Sequence, residues 1–192
     1  MPLSVDHTRL FRSGRPIVRP IDLAGNSGET SDVECLWRAY QHAPYLYFGS
    51  GLSRPNFVRT LELMSGRIIT WVAQYDPVPI SKPPIFAAAT LQDDGWRVEP
   101  HVHYLPWATP KDVLTATASF LQTMRDSPSV GYCVVYSHAE TKNLFDRCCA
   151  LGLLEPAGTI EPKPPRKREY VYFARGAKPE SAKTPGREGL IR

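Results

Sequence analysis

Four charged or titratable side chains alternate along one predicted strand between residues 97 and 103. Because successive strand residues point to opposite faces of a sheet, Arg97, Glu99, His101 and His103 share one face. A carboxylate or an imidazole can accept a proton near neutral pH, so Glu99, His101 or His103 could act as a general base. The alternative is a polar, half-solvated strand face that has no part in chemistry.

A metal site is not expected. His101 and His103 would be two ligands at spacing i, i+2, and the sequence offers no evident third ligand. The four cysteines share no zinc-motif spacing: Cys35, Cys133, Cys148 and Cys149. We therefore expect buried, reduced thiols and a chain that works without a metal.

Residues 105–111 lead from this strand into a helix. Thr109 is a good N-cap, Pro110 suits the first helical position, and Asp112 suits the positive end of the helix dipole. Helix starts carry free N–H groups and hold anions, so an anion site is possible here. Within the strand, Pro100 cannot donate to a ladder, so the strand should bulge or lose a partner there.

The hydrophobic periodicity predicts an α/β (α+β) fold with a mixed sheet, in the order β-α-α-β-β-β-α-β-α-β-β. The predicted strands are 17–23, 69–75, 85–91, 96–105, 130–136, 159–160 and 170–173, and the helices begin after Ser31, Ser53 and Thr109 and at Thr141. Short turns make strands two to four an antiparallel meander, and the third helix makes strands four and five parallel. The apolar run 130–136 favours a central strand that is covered on both faces. Gly152 should end the fourth helix.

Charge and composition divide the chain into a domain and two ends. Its 192 residues suit one domain, 17–174, with an N-terminal arm, 1–16, and a disordered basic tail, 175–192. Residues 162–192 carry nine Lys or Arg and three Glu, or +6, whereas the whole chain carries +4. This argues against a nucleic-acid surface over the whole domain, although Arg166, Lys167 and Arg168 could bind nucleic acid or an acidic protein. A solvated hairpin tip is the alternative for these three residues.

The element order from residue 17 to residue 174 resembles the GNAT acyltransferase superfamily. The resemblance implies that acetyl-coenzyme A binds where strand four leads into helix three, through segment 105–111 with its residues Leu105, Trp107, Ala108, Thr109 and Lys111. It also implies that strand four parts from strand five to admit the pantetheine arm, which Asn143 would contact. A base on strand four, Glu99, His101 or His103, would deprotonate the amine acceptor. Tyr136, at the end of strand five, is a fallback proton donor to the thiolate, and a packed strand-end tyrosine is the alternative.

The chain departs from the family pattern at two places. Segment 105–111 has no glycine, and Pro110 removes one N–H from the helix start. A positive charge of Lys111 on phosphate would offset this loss. Cys148 stands where the family often has a tyrosine acid, and a core thiol is the simpler interpretation. The chain also resembles the small GNAT-like proteins of tailed phages.

Two functions therefore stay open. One is an acyl-coenzyme A-binding N-acyltransferase, and the other is a catalytically silent interaction protein with a protein partner, such as a phage virion assembly factor. The sequence has no secretory h-region and no apolar run long enough to span a membrane, so we expect a cytoplasmic or virion-associated protein.

Overall fold

The structure is a computed structural model, and it describes residues 16–23, 31–42, 51–64, 68–75, 86–93, 97–105, 107–128, 130–161 and 168–175. The side chains of 64, 68–70, 75, 86–93, 101, 103 and 104 lie outside this description. The strands are β1 (Pro16–Pro20), β2 (Ile68–Tyr75), β3 (Phe86–Asp93), β4 (Arg97–Tyr104), β5 (Tyr132–Ser137), β6 (Glu155–Ile160) and β7 (Glu169–Arg175). The helices are α1 (Asp32–His42), α2 (Arg54–Met64), α3 (Pro110–Asp126) and α4 (Ala139–Ala150).

The described strands form one mixed sheet in the spatial order β1-β2-β3-β4-β5-β7-β6. Strands β2, β3 and β4 pair antiparallel as a meander, whereas β4 and β5, which α3 connects, run parallel. Strand β5 pairs antiparallel with β7, and β7 pairs antiparallel with β6. The predicted mixed α/β (α+β) fold class is therefore confirmed.

Two hydrophobic clusters lie on either side of the loop that follows β4. The larger cluster packs α3 and α4 against the sheet around Phe120, Val135 and Phe145. The smaller one joins α1 to α2 around Tyr40 and Phe57. The loop between β4 and α3 therefore sits where the two clusters meet.

Two predicted helix ends are confirmed in detail. Thr109 is the N-cap of α3 with Pro110 in the first turn. After α4, Gly152 adopts a φ of +69°, and the N–H groups of Gly152 and Leu153 donate to the carbonyls of Cys149 and Cys148 at 2.8 and 3.0 Å. A left-handed residue that closes a helix in this way is a position where glycine carries no Cβ penalty.

Several element bounds differ from prediction. Strand β1 ends at Pro20, and α4 begins at Ala139 with His138 as its N-cap. Strand β6 begins at Glu155, because pairing with β7 holds Pro156 and Gly158 in the ladder across a bulge in which Gly158 has a φ of +142°. Local signals in these residues indicate a loop, and the pairing overrides them.

The burial of strand β5 differs from the prediction of a central strand that is covered on both faces. Cys133, Val135 and Ser137 are buried on the side of α3 and α4, but Tyr132 and Tyr136 are each 36% exposed on the other side. One face of β5 is therefore buried, and the other is partly exposed. An apolar run in the sequence does not distinguish a strand buried on both faces from one buried on a single face, because tyrosine tolerates both a buried and a partly solvated position.

An ion pair with a buried carboxylate fixes β1 to the start of α1. Arg19 donates two hydrogen bonds to the Asp32 carboxylate, at 2.6 and 3.0 Å, and a third at 3.2 Å to the Gln74 side chain on β2. The backbone N–H of Asp22 donates to the same carboxylate at 3.1 Å. Asp32 is buried, and hydrogen bonding to this carboxylate raises the pKa of Arg19.

A second polar cluster ties α4 to β7. The buried Tyr172 hydroxyl donates to Asp146 at 2.9 Å, Lys142 donates to the same carboxylate at 2.5 Å, and its ammonium lies 5.3 Å from the centre of the Tyr170 ring. The hydrogen bond from Lys142, followed by that from Tyr172, lowers the pKa of Asp146.

This cluster predicts a pH-dependent difference in stability between the wild type and Asp146→Asn. A depressed carboxyl pKa stabilises the fold above the ordinary carboxyl pKa, and that contribution is lost as pH falls through the folded-state pKa. We expect the variant to be less stable at pH 6–7 and the difference to shrink below about pH 4. Urea unfolding at several pH values measures it. Asp126→Asn is the control, since Asp126 contacts the neutral Gln122; an equal pH dependence in both variants would contradict the assignment.

Candidate functional site

The main feature of the candidate site is a gap between β4 and β5. Strand β4 stays in register with β3 along its whole length, but it pairs with β5 only at Arg97 with Tyr132 and at Val98 with Cys133. The two parallel strands therefore part beyond Val98. The expected loss of a partner near Pro100 is confirmed, and the register with β3 runs through Pro100 without a shift.

Arg97 links the two sides of this gap. Its Nη2 donates to the Glu99 carboxylate at 3.2 Å and to the Tyr136 hydroxyl on β5 at 3.2 Å. The structure thus brings together two predicted catalytic residues, Glu99 and Tyr136, through an arginine. His101 and His103 lie further along β4, in register with Ala89 and Ala87, and their side chains lie outside the described residues.

The start of α3 is a reciprocal capping box. The Thr109 N–H donates to the Asp112 carboxylate at 3.0 Å and the Thr109 hydroxyl donates to it at 2.7 Å. In return, the Asp112 N–H donates to the Thr109 oxygen at 3.2 Å. The Ala108 N–H donates to the Leu105 carbonyl at 2.9 Å.

These contacts correct the expectation that this loop presents unpaired N–H groups. The N–H groups of Ala108 and Thr109 are both used within the chain, and a carboxylate occupies the position at the helix start where an anionic ligand is most favoured. An anion that binds to the N–H or the hydroxyl of Thr109 has to displace Asp112.

The other predicted coenzyme-binding residues fall into two groups. Leu105 is 2% exposed in the cluster of α1 and α2, Trp107 packs against that cluster, and Ala108 packs against the larger one. Lys111 and Asn143 are exposed near the starts of α3 and α4. The loop is therefore held rigidly by apolar contacts, while the polar residues on the two helices reach solvent.

Cys148 is a core residue. Its side chain is fully buried in the larger cluster, and burial raises the pKa of the thiol to about 12. A thiol that is buried in the core and has a raised pKa is a poor proton donor to a group in a solvated cleft. The core interpretation of Cys148 is confirmed, which leaves Tyr136 as the hydroxyl at the gap.

Two features of the site were not predicted from the sequence, and only the second of them has a recognisable signal in the sequence. The contact of Arg97 with Tyr136 joins residues 39 positions apart, so no local pattern could indicate it. The Asp112 cap was open to prediction, because a threonine followed three residues later by an acid is the signature of a capping box.

The basic hairpin is only partly described. Residues 162–167, which include Arg166 and Lys167, lie outside the described residues. Arg168 donates to the Glu161 carboxylate at 2.5 Å, and hydrogen bonding to Glu161 raises the pKa of Arg168. The positive charge of Arg168 is therefore offset by a neighbouring carboxylate.

Among the described residues, no cluster of three or more His, Cys, Asp and Glu side chains is placed to hold a metal ion. None of the four helices in the described part of the chain combines the length and apolar character needed to cross a bilayer.

Solved structures share the fold over most of this chain. A chimera of spermidine N-acetyltransferase SpeG from Vibrio cholerae and hSSAT superposes with a TM-score of 0.62 over 84% of this chain and 96% of its own, at 9% identity. The chain has the fold of the GNAT acetyltransferases. Aminoglycoside acetyltransferase AAC(6')-Ib is a second GNAT-fold neighbour: its complex with paromomycin and acetyl-coenzyme A gives a TM-score of 0.59, with 12% identity, over 84% of this chain and 93% of that one.

A further AAC(6')-Ib structure, with coenzyme A and kanamycin, superposes on the GNAT fold of this chain with a TM-score of 0.57 at 10% identity, over 83% of this chain and 94% of that one. No family model and no curated protein sequence matches the chain. At identities this low, the superpositions establish the fold alone, and the function has to be argued from the site.

Proposed function

We propose that the protein binds an acyl-coenzyme A in the gap between β4 and β5 and transfers the acyl group to an amine. The observation that carries the proposal is the parting of these strands beyond Val98, next to the start of α3. A gap between two parallel strands exposes backbone and side chains to a narrow ligand arm, which a continuous ladder would exclude. The structural neighbours solved with acetyl-coenzyme A or coenzyme A share this fold.

In the proposed reaction, the amine nitrogen attacks the thioester carbonyl, so that a C–N bond forms and the C–S bond breaks. The proton of the amine passes to Glu99, His101 or His103 on β4, and Tyr136 supplies a proton to the departing thiolate. Arg97 holds Glu99 and Tyr136 in place through its two 3.2 Å contacts. The products are an amide and free coenzyme A.

For the coenzyme, Thr109 and Lys111 would contact the phosphates, and Asn143 would contact the pantetheine arm. Leu105, Trp107 and Ala108 would shape the loop that these groups flank. Asp112 opposes this role, because its carboxylate accepts from both the N–H and the hydroxyl of Thr109.

Asp112→Asn is therefore expected to bind acetyl-coenzyme A about three- to tenfold more tightly than the wild type. The substitution removes a negative charge beside the phosphate position, and such a charge is worth about 1 kcal/mol at a partly solvated helix start. Isothermal titration calorimetry at low salt measures the change. Asp126→Asn, at the other end of the same helix, is the matched control and should bind like the wild type. Unchanged binding by Asp112→Asn would place the phosphates elsewhere.

The central experiment titrates acetyl-coenzyme A into the wild-type chain and then measures free thiol on addition of amines. Binding without an effect of Tyr136→Phe on kcat would remove Tyr136 from the mechanism. The absence of heat at millimolar ligand would count against the proposed function as a whole.

A catalytically silent interaction protein, such as a phage virion assembly factor, is the second candidate. The capped helix start favours it, since a carboxylate stands where a phosphate would bind and the loop has no glycine. Stoichiometric recovery of the chain from purified particles, together with no response to acetyl-coenzyme A, is the outcome that this candidate predicts. Steeply salt-dependent retention on DNA would instead indicate nucleic-acid binding through the basic hairpin.

A further inference from the structure

An uncharged strip of partly exposed aromatic and branched side chains runs along the face of β5 and β7 that lies opposite α3 and α4, beside the gap. We call Tyr132, Val134, Tyr136, Val171 and Phe173 the open strip. The strand register places Val134 opposite Phe173 and Tyr136 opposite Val171. Helices α3 and α4 cover the other face of these strands, where Cys133, Val135 and Tyr172 lie in the larger cluster.

The open strip has a pair of stacked aromatic rings at one end and the Tyr136 hydroxyl at the other. The rings of Tyr132 and Phe173 stack with centroids 5.6 Å apart and planes at 30°. Tyr136, at the other end, accepts the hydrogen bond from Arg97 at the gap. At about 3.3 Å per residue, Tyr132 and Tyr136 are separated by about 13 Å along β5.

The charges that border the open strip among the described residues differ between its two ends. Arg97 contacts Glu99 beside the gap. On β7, Glu169 lies at the end of the strand nearest Tyr136, and Arg175 lies opposite Tyr132 at the other end. A molecule with several positive charges that lay along the strip would bring one of them to Arg175, whereas one ammonium group can lie near Glu99 with an uncharged body on the rings.

We propose that the acceptor is a primary monoamine with an aromatic or branched apolar body, which lies along the open strip with its nitrogen at the gap beside Glu99 and Tyr136. The inference rests on the proposed function and names its substrate class. It separates this chain from neighbours described as a spermidine N-acetyltransferase or solved with kanamycin, since those amines carry several positive charges.

The test compares 2-phenylethylamine with spermidine, kanamycin and methylamine as acceptors of acetyl-coenzyme A. We expect kcat/KM for phenylethylamine to exceed that for spermidine or kanamycin at least about tenfold, because stacking on the open strip helps only the first. Tyr132→Ser should lower kcat/KM for phenylethylamine about tenfold relative to that for methylamine, and Tyr132→Phe should restore this ratio. Ile17→Ser, an exposed apolar position on β1, is the matched control.

A preference for spermidine or kanamycin, or an unchanged ratio in Tyr132→Ser, overturns the inference and leaves the acyltransferase proposal in place. Saturation-transfer NMR with phenylethylamine, from the methyl resonances of the chain without coenzyme, supplies a readout that needs no turnover. Transfer that is lost in Tyr132→Ser supports the open strip as a binding surface even where acetyl-coenzyme A gives no heat. Absence of transfer from the wild type, with thermal unfolding unchanged among the variants, overturns it.

Discussion

Lys111→Glu is expected to weaken the binding of acetyl-coenzyme A by about 10- to 100-fold, if the phosphates bind at the start of α3. The substitution changes the local charge by two units in the first turn of the helix, where Asp112 already supplies one carboxylate. Two carboxylates beside a pyrophosphate would cancel the favourable helix dipole. Calorimetric dissociation constants at two salt concentrations test this, since the difference should shrink as salt screens the charges.

Arg59→Glu provides the control for Lys111→Glu. It makes the same change in net charge at an exposed position on α2, in the other helix pair. We expect its affinity for acetyl-coenzyme A to match that of the wild type within about twofold. Equal losses in both variants would indicate a long-range charge effect, and no loss in Lys111→Glu would move the phosphate site away from this helix.

Asp32→Ala is expected to lower the free energy of unfolding by about 3 kcal/mol. The carboxylate is buried and accepts two hydrogen bonds from Arg19 and one from the Asp22 backbone. Its removal leaves the Arg19 guanidinium without its carboxylate at the junction of β1 and α1. The partial exposure of Arg19, 38% of its side chain, keeps the loss at the lower end of the range for broken buried pairs.

Urea denaturation at neutral pH measures this loss, and Glu34→Gln is the matched control. Glu34 also lies in the first turn of α1, but its partners Arg38 and Arg54 are about half exposed. We expect the control to cost less than about 1 kcal/mol, as for surface ion pairs. Comparable losses in both variants would show that burial of the Arg19 pair is not what stabilises this junction.

The candidate site was predictable where its signals are local. Thr109, Pro110 and Asp112 define the start of α3 within four consecutive positions. Pro100 indicated a missing partner because the lack of an N–H is a property of the residue itself. Asp112 shows the limit of such reasoning: its suitability for a helix start was evident, but the same carboxylate uses the N–H group that was expected to be open.

The sequence by itself determined the order of the elements, the parallel pairing of β4 with β5, the start of α3 and the end of α4, because periodicity and capping act within a few residues. The tertiary structure decided where β4 and β5 part, that Arg97 reaches Tyr136, that β6 extends back to Glu155, and that β5 is buried on one face and partly exposed on the other. Each of these depends on contacts between residues far apart in the chain. The free energy of such contacts comes from the register and packing of whole strands. A short stretch of sequence therefore cannot predict them.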